Sequence, residues 1–177
     1  QIEGFDYPQF ITAATNLPYM PKMIEEEGYT KKIDLVNYLA KMPEKLPEVY
    51  IKVLGRIEKT EGYKIIEFEK KKELKPYIIP ALELMNETFK EIYGFVPLTD
   101  SEKQEFANRY LPILDPKFIK MVRNEEGLIG FAIGMPDVSP GIKACRGRLL
   151  PFGILKVLKE SKQSKKLLMM LGGVKKE

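Results

Sequence analysis

The chain has 177 residues, 44% hydrophobic and 31% charged, with a net charge of +4. This is the make-up of a folded domain with a sizeable core, and it excludes a disordered tail; the modest charge is weak support for a polyanion partner. The absence of histidine and the single cysteine, Cys145, remove Ser-His-Asp and Cys-His nucleophile systems and a disulfide framework, and argue against a zinc site.

One cysteine suits a reducing cytoplasm, and no apolar run of about 18 residues predicts a membrane span. Chemistry then falls to carboxylates, tyrosine, lysine, backbone amides or a bound cofactor.

From the amino terminus, Pro18 and Pro21 ahead of Met23 and Ile24 predict a short helix entered through proline and stopped by Gly28. Residues 29–39 place Ile33, Leu35 and Leu39 at alternate positions, a strand pattern. Residues 41–62, with Pro43, Pro47 and Gly55, read as a connector holding a short strand or turn. The stretch YKIIEFE, 63–69, predicts a strand. Residues 76–93 carry Ile78, Leu82, Met85, Phe89 and Ile92 at helical spacing, with Gly94 as the stop. Thr99 and Glu102 form a capping-box pattern for a second helix from Asp100, bearing Phe106, Tyr110 and Leu114 on one face and closed by Pro116.

Residues 117–123 and 128–135 flank the polar turn 124–127 and predict an antiparallel hairpin. A loop through Pro140 and Gly141 leads to a helix after Pro151. Residues 167–171 are unbroken Leu and Met, read as a strand buried on both faces, and Gly172 and Gly173 at its end let another group approach the main chain. Periodicity alone gives an α+β class.

The order strand, two helices, hairpin, insertion and strand resembles the first half of the GNAT superfamily of acyl-CoA N-acyltransferases. YGFVPLTDSE (93–102), LIGFAIGMPDVSP (128–140), GRLLPFGILKVLK (147–159) and LLMMLGGVKKE (167–177) carry that resemblance. NLPYMPKMIEEEGYTKKIDLVNYLA (16–40) is similar to the late helix and strand of such a unit. The resemblance implies a mixed sheet flanked by helices, incomplete on its C-terminal side. It divides the chain into 1–40 as the tail of an upstream unit, 41–62 as connector and 63–177 as the first half of the next. The chain is then an internal fragment, and the strand at 33–39 is expected to complete the sheet begun at Tyr63, or else open edges pair two copies as a homo-oligomer.

The implied activity is transfer from acetyl-CoA or another acyl-CoA to a small amine, or, with catalysis lost, a binding or scaffolding module. Leu171, Gly172, Gly173 and Val174 map onto the pantetheine side of the cofactor site. No catalytic residue is assigned, because 167–174 holds no carboxylate and the tyrosine that the resemblance would place in the later half is missing, and no metal ligand is assigned, because the chain has no histidine and one cysteine. The single cysteine and the lack of a long apolar run give the expectation of a cytoplasmic protein with no membrane partner, and lysines without aromatic interleaving or a groove-reading helix motif argue against nucleic acid. Tyr19 is read as a packing aromatic and Asp137 as a turn cap. Lys143, Arg146 and Arg148 read as a solvated basic loop, with an acidic ligand as the alternative, and Cys145 as unreactive.

Overall fold

Asn124 turns the chain back on itself: its side-chain oxygen accepts from the amides of Glu126 and Gly127 at 3.0 and 3.1 Å. The hairpin built on that turn is the middle of a four-stranded sheet. The computed structural model describes residues 2–7, 9, 10, 13, 15–57 and 59–176. The described helices are α1 (Met20–Glu26), α2 (Glu48–Ile57), α3 (Lys71–Phe89), α4 (Asp100–Tyr110), α5 (Ser139–Ala144) and α6 (Gly153–Gln163). The strands are β1 (Lys64–Glu67), β2 (Ile119–Arg123), β3 (Leu128–Pro136) and β4 (Leu167–Val174). The chain divides into one unit of Gln1–Pro47 with Asp137–Lys165 and another of Glu48–Pro136 with Lys166–Glu177.

The second unit holds the sheet, in the order β1-β2-β3-β4. Every pair is antiparallel, which corrects the mixed sheet expected above; the α+β class stands. One face is covered by α3, which contributes Leu74, Leu82 and Met85 to a core with Ile119, Met121 and Phe131. Leu74 and Ile119 are each only 1% exposed. Burying Leu74 explains why α3 begins at Lys71 rather than at Pro76 and carries Pro76 and Pro80 inside it. The Glu73 carboxylate closes that first turn by accepting from the amides of Glu69 and Lys70 at 2.9 and 3.2 Å.

The helix stops at Phe89, so Ile92 lies beyond it and is exposed. Gly94 turns the chain at φ 77°, and Asn86 then ties the following loop to the helix through paired bonds with Leu98 at 2.7 and 2.9 Å. The capping box at Thr99 and Glu102 starts α4 as expected. Lys103 on α4 sits 2.6 Å from Asp100 and 3.6 Å from Glu83 on α3.

Residues 41–62 contain a helix, α2, in place of a short strand or turn; its apolar residues Val49, Ile51 and Val53 recur at two but are exposed on the helix. The first unit contains α1, with proline in its first turn. Residues 29–43 form neither helix nor strand, and Leu35 and Leu39 are exposed. The strand expected at 29–39 is therefore absent, and it does not complete the sheet. Alternation signals a strand only where a sheet exists to bury one face. The loop expected at Pro140 is the short helix α5, which packs on α6 so tightly that a Cβ on Gly141 would lie 2.9 Å from the Cα of Val157.

Candidate functional site

β4 is an edge strand, and its sequence sets what that edge offers. Leu167 pairs with Pro136, Met169 with Gly134, Leu171 with Ile133, Gly172 with Ala132, Gly173 with Phe131 and Val174 with Gly130. The register slips between Ile133 and Gly134, which leaves Met170 as the extra residue of a β-bulge. The bulge has a geometric result: Leu167 and Met169 before it share the outward face with Gly172 and Val174 after it. Leu167, Met169 and Val174 are exposed, which corrects the strand buried on both faces. A continuous apolar run can be half open, because alternate residues of a strand face opposite sides of the sheet.

The four residues singled out at the end of β4 thus divide between the two faces. Leu171 and Gly173 point to the helix layer, where Leu171 lines an apolar cavity of about 50 Å3 with Leu82, Phe106 and Ile119 among its neighbours. Gly173 is buried because a Cβ there would lie 2.6 Å from Thr88 Oγ1 and 2.9 Å from Phe131 Cε1. Thr88 is held in place by donating to the Leu84 carbonyl at 2.8 Å. Gly172 and Val174 lie on the open face, and a Cβ on Gly172 would meet only the Phe131 carbonyl, at 3.6 Å. Of the two glycines, packing demands one and leaves the other free.

Sequence reasoning missed the partners of these residues. Across from β4, the outward positions of β3 are Gly130, Ala132, Gly134 and Pro136, all small or flat. The signal was present as small residues at every second position of 128–136. Together the two strands make an apolar surface of small residues, Gly130, Ala132, Gly134 and Gly172, with Leu167, Met169 and Val174 exposed along the β4 side and Val122 and Lys120 of β2 opposite Gly130 and Ala132 on the same face. The Leu167 side chain leans over Gly134, with its Cδ1 3.1 Å from where a Cβ would stand. Neither strand contains a charged residue.

Just past the end of β4, Lys176 pairs with Glu91 at 2.9 Å, and on the outward face of the sheet Lys120 pairs with Glu67 at 2.5 Å. The hydrogen bond from Lys176 holds the Glu91 carboxyl below its ordinary range. No group of three or more His, Cys, Asp or Glu side chains suited to a metal ion occurs among the described residues.

The remaining candidates lie in the first unit. Asp137 accepts from the Ser139 amide at 2.9 Å, a turn cap as expected. Cys145 is buried, with its thiol directed to the Ile142 carbonyl at 3.2 Å. Tyr19, expected to pack, is exposed at the start of α1. Arg146 and Arg148 line an open cleft of about 360 Å3 with Lys156; Lys143, grouped with them above, does not line it. Glu177, the last residue of the stretch 167–177, lies outside the described residues.

No family model matches the chain. It is 26% identical over 158 residues, 88% of its length, to a protein named bacterial ceramide synthase from Caulobacter vibrioides. It is 25% identical over 158 residues, 89% of its length, to Protein YghO from Escherichia coli. The chain spans 40% of the length of these relatives. Their names overturn the resemblance to GNAT acyltransferases stated above, and with it the expected acetyltransferase-like transfer to a small amine and its non-catalytic GNAT-like alternative: the named product of one relative is ceramide, a lipid.

Proposed function

We propose that this chain is a segment of a ceramide-synthase-like protein, and that the open face of β3 and β4 is where a long-chain lipid lies. The 26% identity running through 88% of the chain to the Caulobacter protein carries the reading. Ceramide joins a long-chain amino alcohol to a fatty acid, so most of its surface is hydrocarbon and its recognition needs apolar contact. The surface of β3 and β4 supplies that contact, and the charge beside it, Lys120 opposite Ala132, is paired with Glu67. Gly172 keeps the surface low beside the edge of β4, while Leu167, Met169 and Val174 give an alkyl chain side chains to pack on.

The interior cavity does not serve this purpose. Its volume of about 50 Å3 is far below the roughly 150 Å3 that admits a benzene ring. Because β3 and β4 carry no titratable side chain, these two strands supply binding surface, and any reacting group comes from outside them.

Fluorescence anisotropy of a labelled long-chain ceramide analogue against the 177-residue chain tests the reading. Saturable binding is expected, weakening as the alkyl chains shorten. Met169→Lys, at an exposed position, lowers affinity about ten-fold or more, the loss of one buried apolar side chain. Equal binding of short- and long-chain analogues, or no binding, refutes it.

A further inference from the structure

Residues 143–165 in the first unit hold seven cations, Lys143, Arg146, Arg148, Lys156, Lys159, Lys162 and Lys165, against one acid, Glu160. The whole chain carries only +4, so this stretch of net +6 leaves the remainder net negative. Among the described residues none of these cations makes an ion pair with an acidic side chain; Lys156 donates to the Ala144 carbonyl at 3.1 Å.

The same stretch exposes apolar side chains. Leu150 is 83% and Phe152 72% exposed, and Ile154, Leu155 and Leu158 follow on α6. The helix geometry explains why. Successive residues turn by about 100°, so Gly153, Val157 and Glu160 share one side, and Gly141 of α5 packs there: a Cβ on it would meet Val157 and Glu160. Ile154, Leu155 and Leu158 fall on the next side, away from α5. Lys159 and Lys156 follow them around the helix, and Lys162 lies on the stripe itself, one turn past Leu158. The apolar stripe therefore has no partner in its own unit and is bordered by lysines, while the cleft at its start is lined by Arg146, Arg148, Leu150, Phe152 and Lys156.

We propose that residues 143–165 dock in the plane of an anionic lipid surface, with Leu150, Phe152, Leu155 and Leu158 inserted among the acyl chains and the basic side chains on the headgroup phosphates. Interleaved cations and exposed aliphatics fit that occupant because the surface satisfies both at once. A polynucleotide would meet the cations and leave the leucines in water. This is association with a surface and involves no span: no described helix is long and apolar enough to cross a membrane. The inference stands on the first unit alone and is independent of the lipid site proposed on β3 and β4.

Co-sedimentation of the 177-residue chain with phosphatidylglycerol-containing vesicles, against pure phosphatidylcholine vesicles, tests it. Binding is expected only to the anionic vesicles, and weakening at about 1 M salt, where the Debye length shrinks to about 3 Å. Lys159→Ala and Lys162→Ala each reduce it roughly five-fold. Leu150→Ser with Phe152→Ser releases the chain while its circular dichroism spectrum stays unchanged, since both side chains are exposed. No binding to anionic vesicles, equal binding to both vesicle types, or indifference to the lysine substitutions overturns the proposal. So does self-association, or capture of a short RNA, that the same substitutions abolish while vesicles are left unbound. Vesicles free of ceramide keep this outcome separate from that of the ceramide titration.

Discussion

Gly173→Ala is expected to damage the fold, whereas Gly172→Ala one residue away is expected to be tolerated. A methyl at 173 lands 2.6 Å from Thr88 Oγ1 and 2.9 Å from Phe131 Cε1, against the 3.4 Å at which ordinary contact begins. The strand or α3 must then retreat by about 0.8 Å, or Thr88 must rotate and give up its 2.8 Å bond to Leu84. Phe131 cannot yield easily, being 5% exposed with the Phe89 ring 6.4 Å away. Overpacking of this kind costs about 1–3 kcal/mol. For a chain of this length that is a fall in Tm of roughly 2–4 °C per kcal/mol. At 172 the nearest atom is 3.6 Å away on the open face, so alanine there is expected to change stability by less than about 0.5 kcal/mol.

Thermal and urea denaturation of both variants measure this, and Thr88→Ala in the Gly173→Ala background should recover part of the loss. A coupling near 1 kcal/mol in that cycle is expected for residues in contact. Equal stability of the two glycine variants, or strict additivity with Thr88→Ala, refutes the close approach of α3 to β4.

Thr99→Ala removes the side chain that accepts from the Glu102 amide and should cost about 1 kcal/mol in a urea melt, as loss of a helix cap does. Ala107→Val adds methyl groups at the wall of the 50 Å3 cavity; at about 24 cal/mol per Å3 the gain is capped near 1.2 kcal/mol, and a loss of stability would show that the void is needed as it is. Acid unfolding should report the paired carboxylates. Glu73 and Glu102 are lowered from 4.5, chiefly by backbone amides, and Asp100 is lowered from 3.8, chiefly by Lys103. A depressed folded value contributes stability above the unfolded value that is lost as pH falls through the folded one. Tm should therefore hold from neutral pH to about 5 and drop below 4.5, and Glu102→Gln should flatten that drop. Lys103 is raised from 10.5, chiefly by Asp100, so its share is present at neutral pH and fades only above 10.5.

Elements whose signals are local were legible in the sequence. The capping box at Thr99 and Glu102, the turn at Asn124 and the proline entry to α1 need only neighbours along the chain, and each formed where its residues predict. Elements that depend on distant partners were not. Residues 29–39 alternate like a strand, yet no sheet receives them. Residues 167–171 look doubly buried, yet Leu167 and Met169 are exposed in the strand they form. The start of α3 lies at Lys71 because Leu74 joins a core that includes Ile119, Met121 and Phe131, more than forty positions away, which outweighed Pro76 as a signal. In the candidate site, Gly172 and Gly173 stood out as a pair, but only the positions of Thr88 and Phe131 tell them apart. The small residues of β3 gained meaning only from their pairing with β4.

The open face of β3 and β4 as a lipid site is tested most directly by photo-crosslinking. A ceramide bearing a diazirine in its acyl chain is irradiated with the 177-residue chain, and the labelled peptides are identified by mass spectrometry. Labelling within 167–174 and 128–136, suppressed by unlabelled long-chain ceramide, is the predicted result. Labelling confined to other residues, or labelling that unlabelled ceramide does not suppress, would contradict it.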